Sequence, residues 1–241
     1  MSVKKIIVIN IVILLLFVIV QVVIGLVPND ADRLKHKQHI YAREGKSEID
    51  NGWAYFLINE EFPLDENYTP DLAQVQGTFM MDARCAEYAK AMIADAEKDG
   101  IYLNVVSAYR SIQKQEENLA AYIERLKNDG MNEEDAEKAA LKEIALPGTS
   151  EHNAGLALDI LTLDWWQTHD DVTADFENTA EFLWLSENAH KYGFILRYPK
   201  DWEGATEYTY EPWHYRFVGV YYAKKIKESK LPFEYYYKLN F

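Results

Sequence analysis

Pro147-Gly148-Thr149-Ser150-Glu151-His152-Asn153-Ala154-Gly155-Leu156-Ala157-Leu158-Asp159-Ile160 decides how this chain folds. It opens on a Pro-Gly turn, crosses a polar cluster and runs into an apolar, strand-like segment, Leu156–Leu163. Asp159 stands inside that segment, between Leu158 and Ile160. A carboxylate in an apolar strand is expensive unless it is paired or bound to a metal. Gly155 permits a close backbone approach or unusual dihedral angles. His152 and Asp159 are both good ligands for first-row metals, and the turn between them can bring them together. An aspartate capped by backbone amides is the other reading of the same residues.

Outward from this stretch the chain alternates between strand and helix signals. Ala54–Ile58 reads as a short strand, followed by an extended segment punctuated by Pro63 and Pro70. Asp82–Lys98 has apolar residues at helical spacing and stops at Gly100. Ile101–Ser107 is β-rich, and Ser111–Asn128 is helical. Asn132, followed by Glu133, Glu134 and Asp135, marks a helix start, and that helix is expected to run to about Ala145. Thr179–Tyr192 is an amphipathic helix, Phe194–Tyr198 and Trp213–Val218 are short strands, and Val220–Glu228 is helical. The mixture predicts an α+β fold with helices packed on a mainly antiparallel sheet.

Of 241 residues, 25 are basic and 39 acidic, a net charge of −14, and 49% are apolar. That apolar content excludes a disordered chain, and the acidic balance argues against a nucleic-acid binder, since such a surface repels phosphate. The lone Cys85 excludes an intrachain disulfide and any site built from several thiolates. Lys4 and Lys5 precede a 22-residue apolar run, Ile6–Val27, which as a helix spans ~33 Å, about one bilayer. Its exit, Ile24-Gly25-Leu26-Val27-Pro28, has no small-x-small cleavage pattern. The expected organisation is a cytoplasmic tip (1–5), an uncleaved single-pass membrane anchor (6–27), a polar stalk (28–50) and one extracytoplasmic domain (51–241). A cleaved signal peptide is the alternative.

Chemistry gathers at three places. His214 lies in Tyr210-Glu211-Pro212-Trp213-His214-Tyr215-Arg216. A Glu-x-x-His pair on a helix would suit a di-iron bundle, and Glu187…His190 repeats the spacing. Pro212 opposes a helix through Glu211, because the residue before proline is pushed to extended geometry. His190 ends an amphipathic helix, where a cation suits the helix dipole, and His36 and His39 sit in the stalk. Together His152, Asp159 and His214 make three nitrogen and oxygen ligands with no thiol, the count of a catalytic zinc site with one open position. Glu211 is then a carboxylate beside the metal, able to pass a proton from water to a leaving amine. Arg110, in Ser107-Ala108-Tyr109-Arg110-Ser111, follows a strand and opens a helix. It suits an oxyanion or a substrate carboxylate; a surface ion pair is the alternative.

Ser107-x-Tyr109-Arg110-Ser111-x-x-x-Gln115, Ser150-x-His152-x-x-Gly155-x-Ala157-x-Asp159 and Glu211-x-Trp213-His214-x-Arg216 resemble the VanY-like family of zinc D-alanyl-D-alanine carboxypeptidases. So do Tyr192–Pro199 and Trp53…Leu57-Ile58-Asn59…Pro63-Leu64. The likeness covers about residues 53–230; Ala108 departs from it where the family usually has Gly. It implies a Hedgehog/D,D-peptidase-like fold, Zn2+ on His152, Asp159 and His214, Glu211 as general base and acid, and Arg110 on the oxyanion or terminal carboxylate. Ser150, Gln115 and Ser107 would line the substrate site, with Trp213 as a pocket wall or as ordinary core. The expected activity is removal of the C-terminal D-Ala from peptidoglycan stem peptides. An L,D-carboxypeptidase acting on tetrapeptide stems would use the same ligands, and a non-catalytic wall-binding or sensor domain would have lost one of these residues.

Overall fold

The computed structural model describes residues 52–65 and 67–240. The expected tip, anchor and stalk lie outside them, and among the described residues no helix is long and apolar enough to cross a membrane. Six strands form among these residues. β1 (Leu72–Gln76) and β2 (Phe79–Asp82) make an antiparallel hairpin. β3 (Asn104–Ser107), β4 (Ala157–Leu161), β5 (Phe194–Leu196) and β6 (His214–Phe217) form one sheet in the order β3-β4-β6-β5, with every pairing antiparallel. The α+β expectation holds, and the central strand β4 is the apolar run around Asp159.

Seven helices surround the strands among the described residues: α1 (Ala83–Lys98), α2 (Ile112–Asn128), α3 (Glu133–Ala140), α4 (Ala180–Asn188), α5 (Glu203–Thr206), α6 (Val220–Ser229) and α7 (Phe233–Asn240). The early starts follow from capping chemistry. Asp82 accepts from the Arg84 amide at 2.9 Å, Ser111 from Lys114 at 3.0 Å, Asn132 from Asp135 at 3.0 Å and Thr179 from Phe182 at 3.1 Å. Each side chain satisfies an amide that has no partner inside the helix.

Two expectations change. Ala54–Ile58 is buried throughout but is no strand. Its carbonyls turn to Arg216, whose Nη2 donates to Ala54 O at 3.0 Å and to Phe56 O at 2.9 Å. Helix α3 stops at Ala140, and residues 141–146 unwind ahead of Pro147; there the Ala145 carbonyl accepts from Gln115 Nε2 at 2.7 Å instead of continuing a helical ladder. The hairpin β1–β2 and the helices α5 and α7 were not expected from the sequence. Helix α7 supplies Phe233 and Tyr237 to a core shared with Tyr55, Leu57, Ile195 and Val218.

Candidate metal centre and active site

Strand register assembles the centre. Asp159 is paired with Ser107 of β3 on one side and with His214 of β6 on the other. Along β6 the side chains alternate, so His214 and Arg216 share one face and Tyr215 and Phe217 the other. His152 arrives from the tight turn Glu151–Ala154, where Ser150 Oγ accepts from the His152 amide at 3.3 Å. The turn ends on Gly155, at φ +69°, whose carbonyl accepts from Asp82 N at 2.9 Å.

Donor atoms of His152, Asp159 and His214 lie within 4.8 Å of one another, and among the described residues no other such group forms. His152 Nδ1 lies 2.7 Å from Ala108 O. A carbonyl can only accept, so Nδ1 carries the proton and Nε2 is left with a lone pair, 3.3 Å from Asp159 Oδ2. Asp159 Oδ1 lies 3.1 Å from His214 Nδ1, yet it is buried and makes no hydrogen bond. Three potential donor atoms this close together, with an unsatisfied carboxylate oxygen among them, are what ligands of one cation show. Two imidazoles and a carboxylate without thiolate fit zinc. Beyond the ligands, His214 Nε2 faces Glu151 Oε2 at 3.6 Å, the histidine-to-carboxylate arrangement that orients metal-bound imidazoles.

The charges around this point are strongly biased. Burial alone would raise the Asp159 carboxyl, but His152 and His214 outweigh it and hold it far below the usual range. Burial lowers His152, with Arg110 adding to the effect. Burial also disfavours the His214 cation, yet Asp159 and Glu151 push that group up to about 9. Glu211 sits 3.5 Å from His214 Nδ1 and is pushed up to about 8, first by burial and then by Asp159 and Glu143, against the pull of His214. A buried carboxyl that titrates near neutrality and is not needed as a ligand is equipped to accept and return a proton.

Arg110 has no carboxylate partner among the described residues. Its Nη1 donates to Gln115 Oε1 at 2.8 Å and its Nη2 to Ser107 Oγ at 2.9 Å. Two neutral acceptors fix the guanidinium without neutralising it, which leaves its charge for a ligand. Arg110, Gln115, Ser150, Glu211 and Trp213 line the same cavity as the three donors, with a volume of about 270 Å³. Ser107 does not line it and acts instead through Arg110. Tyr198 and Tyr208 are further walls, their rings tilted by 39° with centroids 4.8 Å apart. Glu187 and His190, the second Glu-x-x-His pair, lie away from this cavity on α4 and the turn after it. His190, in the turn after α4, is lowered by burial and by the neighbouring Lys227, Lys191 and Lys224. His36 and His39 lie outside the described residues.

One functional group escaped sequence reasoning. Glu151, fully buried, accepts from Arg197 Nε at 2.6 Å and pairs with Arg216 Nη1 at 3.0 Å. Arg197 pairs in turn with Glu234 of α7. Burial would raise Glu151, but the two guanidinium groups hold it well below the ordinary carboxylate range. The available signal was the pair of arginines, Arg197 and Arg216, inside or beside apolar strands.

Three nitrogen and oxygen donors, a buried carboxylate that is not a ligand and an unneutralised arginine in one cavity form the constellation of a mononuclear metallohydrolase. Residues 78–220 match the VanY family, described as D-alanyl-D-alanine carboxypeptidase. The chain belongs to that family. It is 35% identical over 184 residues to a D-alanyl-D-alanine carboxypeptidase of Enterococcus faecalis, covering 76% of this chain and 65% of that protein, just under two thirds of its length. Among solved structures it is similar to a VanY D,D-pentapeptidase variant in complex with Zn(II) (TM-score 0.67, 35% identity, 76% of this chain and 98% of that one). It is also similar to VanYB in complex with D-alanine-D-alanine (TM-score 0.68, 35% identity, 76% and 97%). A third likeness is to the LD-carboxypeptidase LdcB (TM-score 0.64, 35% identity, 76% and 84%).

Proposed function

We propose that this protein is a zinc D,D-carboxypeptidase that removes the C-terminal D-Ala from peptidoglycan stem peptides. One observation carries the reading: His152, Asp159 and His214 converge on a cavity that also holds the Glu211 carboxyl and the unneutralised Arg110. The similar VanY structures in complex with Zn(II) and with D-alanine-D-alanine support it. His152, Asp159 and His214 would hold the zinc, which would supply Lewis acidity and lower the pKa of water there. Glu211 takes a proton from the attacking water and returns it to the leaving amine. Arg110, held by Gln115 and Ser107, binds the terminal carboxylate or the developing oxyanion. Ser150 and Trp213 shape the wall against which the terminal residue sits.

The domain would stand outside the membrane on a single-pass anchor, 6–27, and a stalk, 28–50. Lys4 and Lys5 ahead of the apolar run support that orientation. The likeness to LdcB keeps an L,D-carboxypeptidase as the second reading, since the ligand set does not distinguish the two. The test is incubation of the zinc-loaded protein with synthetic pentapeptide and tetrapeptide stems, read by mass. Loss of one D-Ala from the pentapeptide alone supports the D,D reading. Cleavage of the tetrapeptide alone moves the assignment to L,D, and cleavage of neither refutes both.

A further inference from the structure

Four charged side chains are buried together behind the metal donors: Glu151, Arg197, Arg216 and Glu234, each no more than 6% exposed. Two carboxylates and two guanidinium groups leave no net charge, which is the condition for keeping such groups out of water. Glu234 stands in the first turn of α7, beyond the residues 78–220 that match the family. It takes both ends of the Arg197 fork, Nη1 at 3.1 Å and Nη2 at 2.5 Å. Arg197 then meets Glu151 through Nε alone, 2.6 Å from Oε1, and Arg216 Nη1 approaches the same oxygen at 3.0 Å. Both arginines therefore hold Glu151 by one oxygen. The other, Oε2, makes no hydrogen bond and faces His214 Nε2, itself unpaired, at 3.6 Å. A proton on Nε2 leaves the lone pair on Nδ1, which lies 3.1 Å from Asp159 among the donors.

Without the Glu234 carboxylate, the two Nη groups of Arg197 become buried donors with no acceptor, and the cluster carries a net positive charge. The acceptor left open on its other partner is Glu151 Oε2. A bidentate Arg197–Glu151 pair would satisfy the fork and take from His214 the oxygen that it faces. We propose that Glu234 is a positioning residue for the metal centre: by occupying the Arg197 fork it reserves Glu151 Oε2 for His214, so that helix α7 sets the tautomer and orientation of a metal ligand. This rests on the reading of His152, Asp159 and His214 as a metal site, and not on which peptide is cleaved.

The test is the zinc affinity of the full-length protein in lipid nanodiscs, measured by competition with a chromophoric chelator at a temperature where circular dichroism shows each variant folded. Glu234→Met keeps the side-chain length and removes the acceptor; it should weaken zinc binding about tenfold, the low end for groups behind a metal ligand. Glu234→Met with Arg197→Met removes the fork as well, leaves Glu151 paired with Arg216, and should recover most of that loss. Ile226→Ala opens a cavity in the core that α7 shares and should lower Tm while leaving zinc affinity unchanged. Nitrogen NMR of the zinc-loaded wild type, which needs no variant to fold, should show His214 protonated on Nε2. Wild-type affinity in Glu234→Met, an equal loss in Ile226→Ala, no recovery in the double variant or a His214 protonated on Nδ1 would each overturn the proposal and leave the metal site standing. A wild type that takes up no stoichiometric zinc would overturn both.

Discussion

Gly155→Ala tests the geometry that brings His152 to Asp159. Gly155 closes the turn carrying His152 at φ +69°, and a Cβ there would lie 2.8 Å from Asp82 N, a backbone atom. Two terms add. An alanine held in the left-handed region costs about 1 kcal/mol. The Cβ contact cannot be relieved by a side-chain rotation, because Asp82 ends β2 and caps α1. Forcing packed elements apart costs a further ~1–3 kcal/mol, so the sum is about 2–4 kcal/mol. Gly100→Ala isolates the first term: Gly100 has φ +80° and open space where its Cβ would be, for a loss of about 1 kcal/mol. In a domain of this size each kcal/mol lowers Tm by about 2–4 °C. Thermal melts of the two zinc-loaded variants should therefore differ, with Gly155→Ala the lower. Chelator competition should show weaker zinc binding in Gly155→Ala alone, since the forced shift lies between two ligands. Equal melting temperatures together with equal zinc affinities would refute the close approach of Gly155 to Asp82.

Other perturbations separate the roles of the site residues. Glu211→Ala is expected to keep stoichiometric zinc, measured by metal analysis, and to lose turnover by at least about 10²-fold, the scale of a missing general base; hydrolysis at the wild-type rate would remove Glu211 from the mechanism. His152→Ala is expected to lose both metal and activity, and retained stoichiometric zinc would take it out of the ligand set. Glu151→Gln leaves Arg197 and Arg216 short of a counter-charge and should cost about 3–5 kcal/mol in denaturant unfolding, with zinc binding weakened about 10- to 100-fold through His214. The Glu151 carboxyl is held below its ordinary 4.5, so its stabilisation is full above that pH and is lost as pH falls below it. The wild type should lose stability below about pH 4.5 more steeply than Glu151→Gln, and parallel acid profiles would contradict the pairing.

The three candidate donors were singled out because their residue types are restrictive in those places, and the family resemblance joined them into one set. An aspartate inside Leu158-Asp159-Ile160 and a histidine after Pro212 leave few structural uses, and the antiparallel register then places Asp159 opposite His214. Helix starts at Asp82, Ser111, Asn132 and Thr179 were legible because a capping side chain is a local event. What was not legible is decided by distant partners. Ala54–Ile58 has strand composition, but its carbonyls are claimed by Arg216, far along the chain. The hairpin turn at Gly77-Thr78 joins strands of five and four residues whose pairing slips at Gln74/Gln76, too short and irregular for alternation to show. Among 39 acidic residues nothing local marks Glu151 and Glu234 as the two that Arg197 joins.

The charge balance of the cavity gives the metal a second role. On the proposed function, a substrate ending in a carboxylate must approach a chain of net charge −14. The cavity itself is lined by Arg110 and Arg125 against Glu143, Asp159, Asp171 and Glu211. Arg125 is engaged with Asp171 at 3.0 Å, which leaves Arg110 and the His214 cation against the carboxyls of Glu143, Asp159 and Glu211, an excess of one negative charge once Glu211 is ionised. A divalent cation on His152, Asp159 and His214 offsets that excess, and it also favours the ionised form of the Glu211 carboxyl, which burial otherwise holds protonated up to about pH 8. Recognition of the substrate carboxylate and readiness of the base are thus tied to the same ion. Binding of a C-terminal D-Ala-D-Ala peptide to Glu211→Gln, which has no base to ionise, should still weaken when zinc is stripped. Undiminished binding to the stripped variant would show that Arg110 and the His214 cation overcome the acidic lining without it.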